Sequence, residues 1–264
     1  MKPVIVITGA SSGIGSCTAN ILVKKGCAVY DLSRRDISPI NGIHHMRTDV
    51  TDDASISDAI DEIIRREGRI DVLLNNAGFG ISGAVEFTDT EDAKRLFDVN
   101  FFGTVRVTHA VLPHMRKAGK GRVVNISSVA AVAPIPYQTY YSASKSAIMT
   151  YTMALANEVS DFGITACAVL PGDIRTGFTG AREKSVSGDD VYCGRISRSV
   201  SKMEQDEQGG MAPEKAAMKI AKIVLSKSKK PLYTIGFSYQ CLTLFIKLLP
   251  SSLVNRIIKL LYAS

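Results

Sequence analysis

The sequence lacks the features that mark disulfide-bonded, zinc-binding or exported proteins. Its five cysteines are scattered and never form a C-x-x-C pair, which predicts reduced core thiols in a cytoplasmic protein. The four histidines show no metal-ligand spacing, so structural roles are favoured and no metal is expected. The opening stretch MKPVIVITG (1–9) contains no charged leader or cleavage site, so we expect no secretory signal.

The chain also lacks internal repeats, low-complexity tracts and a concentrated basic patch. Its 264 residues include 32 basic and 25 acidic side chains, a formal net charge of +7. The basic residues are spread along the chain, with a modest cluster at Lys227, Lys229 and Lys230. This distribution predicts a solvated basic surface and no nucleic-acid partner. The length predicts one large domain.

Seven short apolar runs alternate with amphipathic stretches. Most runs are near-continuous in Val, Ile and Leu, which is typical of strands covered on both faces. The order predicts an α/β fold: a single Rossmann-type, doubly wound parallel sheet with helices on both faces. We assign this domain to residues 1–237, with the polar stretch 173–212 as a lid loop, followed by a C-terminal helical extension at 238–264. The predicted strands are 3–9, 28–33, 43–50, 71–78, 121–128, 164–172 and 231–236.

The stretch VITGASSGIG (6–15) places three glycines where the first strand turns into a helix. Gly9, Gly13 and Gly15 allow a tight turn, so that exposed N–H groups and the helix dipole can meet a pyrophosphate. The spacing is G-x-x-x-G-x-G, and a purely structural glycine turn is the alternative.

The end of the second strand bears on which dinucleotide would bind. Asp31 is predicted to fall inside the strand rather than at its tip, which is Ser33-Arg34-Arg35. Two guanidinium groups favour a 2′-phosphate over a bare hydroxyl, so NADP(H) is favoured over NAD(H). The alternative is that Arg34 and Arg35 are solvated loop charges.

Six short motifs follow one another between residue 4 and about residue 176: TGASSGIG (8–15), NNAG (75–78), VNFFG (99–103), NISS (125–128), YSASK (141–145) and PGDIRT (171–176). Together they resemble the short-chain dehydrogenase/reductase family, and are nearest to its hydroxysteroid and retinol dehydrogenase-like branch. The resemblance implies an NAD(P)-dependent alcohol dehydrogenase or ketone reductase.

The resemblance also implies a set of cofactor-binding residues. Ser12 stands where many NADP-using members carry a basic residue, so the predicted preference for NADP(H) depends on Arg34 and Arg35 alone. Tyr141 and Lys145 belong to the set as well. The other implied residues are Gly9, Ser11, Gly13, Ile14 and Gly15 at the pyrophosphate, Asp49, Val50, Asn76, Ala77 and Gly78 on the adenosine side, and Pro171, Gly172, Ile174 and Thr176 at the nicotinamide.

The stretch IPYQTYYSASKSA (135–147) contains three tyrosines and one lysine. Reduction of a carbonyl needs a proton donor, and an ammonium group close to a phenol lowers the phenol pKa. Tyr141 and Lys145 are four residues apart and share one helix face, whereas Tyr140 points elsewhere and Tyr137 precedes the helix. Tyr141 is therefore the predicted acid.

Two further residues complete the predicted catalytic set. Ser128, at the end of a strand, can hydrogen-bond the substrate oxygen, and its neighbour Ser127 should face the other side of the sheet. The resemblance implies that Asn100 supports Lys145 through a water molecule; a helix-packing amide is the alternative.

Apolar loops beside the catalytic residues predict a hydrophobic substrate. Tyr137 and Phe178 are the candidate substrate contacts. By family analogy we expect a secondary alcohol or ketone, with a hydroxysteroid or bile-acid-like compound as one option. A 3-oxoacyl thioester reductase is the rival enzyme, and a non-catalytic NADP-binding redox sensor is the rival of another class.

The C-terminal segment 238–264 is apolar but interrupted by Pro250 and charged at Arg256 and Lys259. Each half is too short to span a bilayer, which needs about 20 apolar residues. Three roles remain open: a cap on the substrate pocket, peripheral contact with a membrane surface, and an oligomer contact. We expect a homo-oligomer in the cytoplasm, with peripheral membrane association as an option.

Overall fold

The computed structural model describes residues 2–35 and 42–263. Seven parallel strands form one sheet in the order β3-β2-β1-β4-β6-β7-β9, and β5 pairs with β8 in a separate two-stranded sheet. The strands are β1 Val4–Thr8, β2 Ala28–Ser33, β3 Ile43–Arg47, β4 Val72–Asn75, β5 Ile81–Ser82, β6 Gly121–Ile126, β7 Ile164–Pro171, β8 Glu183–Lys184 and β9 Leu232–Ile235.

Helices cover both faces of the seven-stranded sheet. Side chains alternate along β1, so that Val4 and Val6 join one apolar cluster, with α2, α4 and α5, whereas Ile5 and Ile7 join another, with α1 and α8. The predicted doubly wound Rossmann-type fold is therefore confirmed. The helices are α1 Gly13–Lys24, α2 Asp53–Glu67, α3 Thr90–Phe97, α4 Gly103–Ala118, α5 Thr139–Glu158, α6 Phe178–Ala181, α7 Arg195–Gln208, α8 Pro213–Val224, α9 Phe237–Leu248 and α10 Ser251–Tyr262.

Residues 173–212, which we assigned to a substrate lid loop, are not an irregular connection, and their role as a lid stays a prediction. This stretch contains α6, β8 and the 14-residue helix α7. Ile196, Val200 and Met203 of α7 are buried at i, i+4 and i+7, where they pack against Ala84. This apolar stripe is narrow, and the many polar residues around it concealed the helical period.

The prediction of core thiols holds for Cys27 and Cys167, which are buried, and is wrong for Cys193, which is exposed. Cys193 lies just before α7, on a surface turn within the stretch predicted as a loop. The two C-terminal helices pack unequally. Helix α10 buries Val254 and Ile258, whereas no residue of α9 is fully buried. In the described part of the chain, every helix is too short or too polar to cross a membrane.

Candidate active site

The loop between β1 and α1 takes a backbone conformation that favours glycine. Gly9 and Gly13 have φ angles of 70° and 56°, in the left-handed region. A Cβ atom at Gly9 would lie 3.0 Å from the Cα of Ala77, so the two segments approach too closely for a side chain. Asp31 holds the loop from behind, because its Oδ1 accepts a hydrogen bond of 2.8 Å from the amide of Ala10.

Asn76 and Gly15 secure the same loop from the side of β4. The amide nitrogen of the Asn76 side chain donates to the carbonyl oxygens of Thr8 and Gly9, at 3.1 Å and 3.0 Å. A Cβ atom at Gly15 would lie 2.5 Å from that nitrogen, so only glycine permits this contact. The sequence predicts cofactor contact for both residues, and the structure adds a role in shaping the loop.

The N terminus of α1 is open to a ligand. Ser12 stands at the N-cap, but its side chain makes no capping hydrogen bond. The first N–H groups of a helix have no partner within the helix and carry partial positive charge, so they bind phosphates well. The loop and the helix terminus therefore fit the pyrophosphate of a dinucleotide.

The tip of β2 is arranged as predicted, with Asp31 inside the strand. Asp31 is buried; its Oδ2 accepts hydrogen bonds from Ser33 Oγ at 2.8 Å and, where His45 Nδ1 carries a proton, from that nitrogen at 3.0 Å. Because Oδ1 accepts from the loop amide, both carboxylate oxygens have partners inside the protein, and Asp31 does not line the cavity. Arg34 and Arg35 are exposed at the mouth of the groove.

Ser128, Tyr141 and Lys145 meet at the carboxyl end of the sheet. Tyr141 and Lys145 lie one turn apart in α5, and the Lys145 Nζ is 5.6 Å from the centre of the Tyr141 ring. The Tyr141 hydroxyl is hydrogen-bonded to Ser128. Lys145 donates to the carbonyl oxygen of Ile126 at 3.0 Å, and Ser127 Oγ donates to the Lys145 carbonyl at 2.7 Å. The serine that was predicted to face away thus holds the lysine's backbone.

Burial dominates the titration of this pair. It raises the pKa of Tyr141 to about 12, although the hydrogen bond with Ser128 opposes the shift. Burial also lowers the pKa of Lys145 to about 8. The predicted lowering of the phenol pKa is therefore wrong for these groups as they stand, because desolvation penalises both charged forms.

Asn100 lies behind this trio, in a π-helical turn at Asp98–Phe102. Its side chain accepts from the Phe79 amide and donates to the Phe79 carbonyl, both at 3.0 Å. A Cβ atom at Gly78 would lie 2.9 Å from Asn100 Oδ1 and 3.5 Å from Lys145 Nζ. The amide of Asn100 therefore fixes the backbone strip that separates it from the lysine.

One cavity of about 930 Å³ joins these parts, from the glycine loop past Tyr141 to a wall formed by α9 and α10. The structure does not bring Gly15, Asn100 or Tyr137 to this cavity. The Tyr137 ring instead packs edge-on against Tyr192, with centroids 5.9 Å apart. The predicted residues that do line it are Gly9, Ser11, Ser12, Gly13, Ile14, Ser33, Arg34, Arg35, Asp49, Val50, Asn76, Ala77, Gly78, Ser128, Tyr141, Lys145, Pro171, Gly172, Ile174, Thr176 and Phe178.

Two acidic side chains beside the phenol were not predicted from the sequence. Asp173 and Glu207 line the cavity, and their charges, with that of Arg182, act on Tyr141. Arg182 is buried and donates to Glu207, while the Tyr239 hydroxyl donates to Asp173. Asp173 follows the PG pair directly and could have been noticed; Glu207 lies in α7, which carries no motif.

A glycine-rich loop at the head of a parallel sheet and a Ser-Tyr-Lys trio in one cavity define an oxidoreductase of the nicotinamide-dinucleotide class. The family model for the short chain dehydrogenase matches residues 3–187. The chain belongs to this family.

Two curated relatives illustrate the range of names within it. A 3-ketodihydrosphingosine reductase from Bacteroides thetaiotaomicron is 42% identical over 267 residues, covering 100% of this chain and 99% of that protein. An 11-beta-hydroxysteroid dehydrogenase-like protein 2 from Arabidopsis thaliana is 36% identical over 75% of this chain and 67% of its own length.

Solved structures agree with the fold. A short-chain dehydrogenase from Streptomyces avermitilis superimposes with a TM-score of 0.84 at 31% identity, covering 98% of this chain and 95% of that one. ElxO with NADP bound gives a TM-score of 0.74 at 28% identity, over 91% of this chain and 100% of that one.

Proposed function

We propose that this oxidoreductase is an NADP(H)-dependent ketone reductase acting on a long-chain 2-amino ketone of the 3-ketodihydrosphingosine type. The observation that carries the proposal is the single cavity that joins the dinucleotide loop, the Tyr141 phenol and a long apolar wall. A compound with a ketone near one end and a long alkyl chain at the other fits this shape, because the ketone can reach Tyr141 while the chain lies along the apolar wall.

The chain's own residues supply binding and proton transfer. Tyr141 donates a proton to the carbonyl oxygen, and Ser128, hydrogen-bonded to the same hydroxyl, orients that oxygen. Lys145 donates to the carbonyl oxygen of Ile126, which fixes its ammonium group beside the phenol. Asn100 accepts from the Phe79 amide and so fixes the adjacent backbone. A reduced nicotinamide bound in the groove would supply the hydride.

The preference for NADP(H) rests on the tip of β2. Asp31, the acid expected for a ribose hydroxyl, is committed to the loop amide of Ala10 and to Ser33. Arg34 and Arg35 stand exposed where a 2′-phosphate would lie, and guanidinium groups bind phosphate bidentately. The likeness to ElxO, whose structure holds NADP, supports the same choice.

The amino group of the substrate is inferred from the charges around Tyr141. Two acidic side chains, Asp173 and Glu207, and the basic Arg182 act on the phenol, and the Lys145 Nζ lies 5.6 Å from the centre of its ring. Arg182 pairs with Glu207, whereas the half-buried Asp173 carboxylate accepts a hydrogen bond from the neutral hydroxyl of Tyr239. A substrate ammonium would offset this charge, whereas a steroid or a thioester would not.

The steroid remains the second candidate, because the cavity is large and mostly apolar beyond Tyr141 and because the Arabidopsis relative carries a hydroxysteroid name. The 3-oxoacyl thioester reductase is a weaker rival, since the long apolar C-terminal segment forms a wall of the cavity here, whereas members of that branch usually end without such a segment. The redox-sensor reading is disfavoured by the intact Ser128, Tyr141 and Lys145. The homo-oligomer and the cytoplasmic location stay predictions.

The test is to assay a panel of substrates at a fixed NADPH concentration and to measure turnover as the loss of NADPH absorbance. It compares 3-ketodihydrosphingosine, a matched long-chain 3-ketone without the amine, an oxosteroid and a 3-oxoacyl thioester. We expect the amino ketone to have the highest kcat/KM and the amine-free ketone to be at least about 10-fold poorer. Faster turnover of the steroid or the thioester would replace the proposed substrate, and a preference for NADH would overturn the cofactor assignment.

A further inference from the structure

The last fifty residues carry a charge pattern that differs from the rest of the chain. Of the 32 basic and 25 acidic residues, nine basic and no acidic ones follow Glu214. The chain up to Glu214 therefore has 23 basic and 25 acidic residues and is nearly balanced. The net positive charge of the protein resides in the segment that forms α8, β9, α9 and α10.

The same segment exposes large apolar side chains. We define the α9–α10 face by Phe237, Leu244 and Leu248 of α9 and Leu253 of α10, which are 80%, 60%, 73% and 43% exposed. The three α9 residues are spaced by seven and four positions, so they form one stripe along the helix. This stripe does not line the cavity; it points outward.

Basic side chains flank the apolar stripe on both helices. Lys247 follows Leu244 by three positions, and Arg256 and Lys259 lie one turn and two turns beyond the start of α10. All three are exposed. An amphipathic helix with basic residues beside a wide apolar face is the pattern of helices that lie in the interface of an anionic membrane.

The mouth of the cavity opens on the same helices. Leu242, Phe245, Ile257 and Leu261 both line the cavity and are at least 40% exposed. The apolar surface is therefore continuous from the outer stripe to the interior of the pocket. A second copy of the chain is a poorer occupant, because a twofold contact would bring the basic rim against itself.

We propose that the α9–α10 face docks on an anionic lipid bilayer and seats the mouth of the cavity at the membrane surface. Phe237, Leu244 and Leu248 enter the interface, while Lys247, Arg256 and Lys259 contact acidic head groups. Docking itself is independent of the proposed substrate. Entry of a lipid ketone directly from the bilayer is the part that rests on the proposed function.

The test is sedimentation of the full-length protein with vesicles that contain no substrate. Wild-type protein should bind phosphatidylcholine vesicles containing about one third phosphatidylglycerol, and bind pure phosphatidylcholine far more weakly. Leu244→Ser/Leu248→Ser should lower the partition coefficient by about 10-fold for each leucine, and Lys247→Gln by about five-fold. Met218→Ser on α8, which is 56% exposed, and Lys117→Gln on α4 are the matched controls and should bind like wild type.

The readouts keep this proposal separate from the proposed function. Circular dichroism and turnover of a short, water-soluble ketone should be unchanged in Leu244→Ser/Leu248→Ser, which shows that the variant is folded. Absence of wild-type binding to the anionic vesicles, or equal binding by the double variant, overturns the proposal. So does a wild-type dimer that the double variant converts to a monomer, because the face would then be an interface between copies.

Discussion

The Asp173→Asn substitution tests the charge argument for the substrate most directly. The change removes the carboxylate charge but keeps a side-chain oxygen that can accept from the Tyr239 hydroxyl, so the packing of α9 against β7 should survive. If the substrate carries an ammonium group, it loses a charge-assisted interaction next to Tyr141. A neutral ketone of the same length loses nothing.

The expected magnitude follows from the burial of the site. A hydrogen bond to a charged group contributes about 1.5–3 kcal/mol, which corresponds to about 10- to 100-fold in kcat/KM for the amino ketone. The amine-free ketone should change by less than about three-fold or even improve, because a buried carboxylate costs free energy to desolvate. Burial raises the pKa of Asp173, so the wild-type preference for the amine should fall as the pH drops through that raised pKa.

The assay is a pair of pH profiles of kcat/KM, one for each ketone, in wild type and Asp173→Asn. Tyr239→Phe is an informative companion, because the phenol's hydrogen bond lowers the Asp173 pKa and its loss should move the pH dependence upward. If Asp173→Asn slows both ketones equally, the residue is structural and the amino-ketone assignment fails.

Four other substitutions have defined outcomes. Tyr141→Phe should lower kcat by about 10²- to 10⁴-fold and leave the NADPH dissociation constant, measured by fluorescence, unchanged. Arg34→Ala should raise the KM for NADPH by about 10-fold or more and hardly affect the KM for NADH, and an equal effect on both cofactors would refute the 2′-phosphate contact. Arg122→Met should lower the free energy of unfolding in urea by about 3 kcal/mol, because the buried guanidinium donates to the carbonyl oxygens of Ile223 and Ser228. The control Arg65→Met removes an exposed ion pair and should change the free energy of unfolding little. Lys145→Met should raise the free energy of unfolding at neutral pH by up to about 3 kcal/mol, less the lost bond to Ile126. The folded-state pKa of about 8 lies below the ordinary lysine value of 10.5, so the cost of burying the charged lysine is full below pH 8. The gain from removing it should fade as pH approaches 10.5, and a gain that persisted there would contradict the reasoning.

The sheet and the meeting of Ser128, Tyr141 and Lys145 could be predicted from sequence because their signals are local. Continuous apolar runs mark buried parallel strands, and the four-residue spacing of Tyr141 and Lys145 places both on one face of α5 whatever surrounds them. The position of Asp31 inside β2 followed from counting residues from Gly26. Each of these inferences uses neighbours within about one turn or one strand.

The features that escaped prediction depend on contacts between distant segments. Helix α7 is stabilised by packing on Ala84, which lies over a hundred residues earlier, and Glu207 reaches the cavity only because that helix folds. The pKa of Tyr141 is set by burial, which no spacing rule reports. Tyr137 resembled a pocket wall in sequence, but an edge-on contact with Tyr192 draws its ring away.

Gly172 shows how the C-terminal segment becomes part of the candidate active site. A Cβ atom there would lie 2.1 Å from the Tyr239 ring, so glycine lets α9 close directly onto the loop after β7. Tyr239 then donates to Asp173, which faces the cavity beside Tyr141. Helix α9, which exposes Leu244 and Leu248, is thus linked through Tyr239 to Asp173, the carboxylate proposed to bind the substrate's ammonium group. If the proposed docking shifts α9, the Tyr239 hydrogen bond is the contact through which Asp173 would respond, so Tyr239→Phe should remove any effect of anionic vesicles on the amine preference.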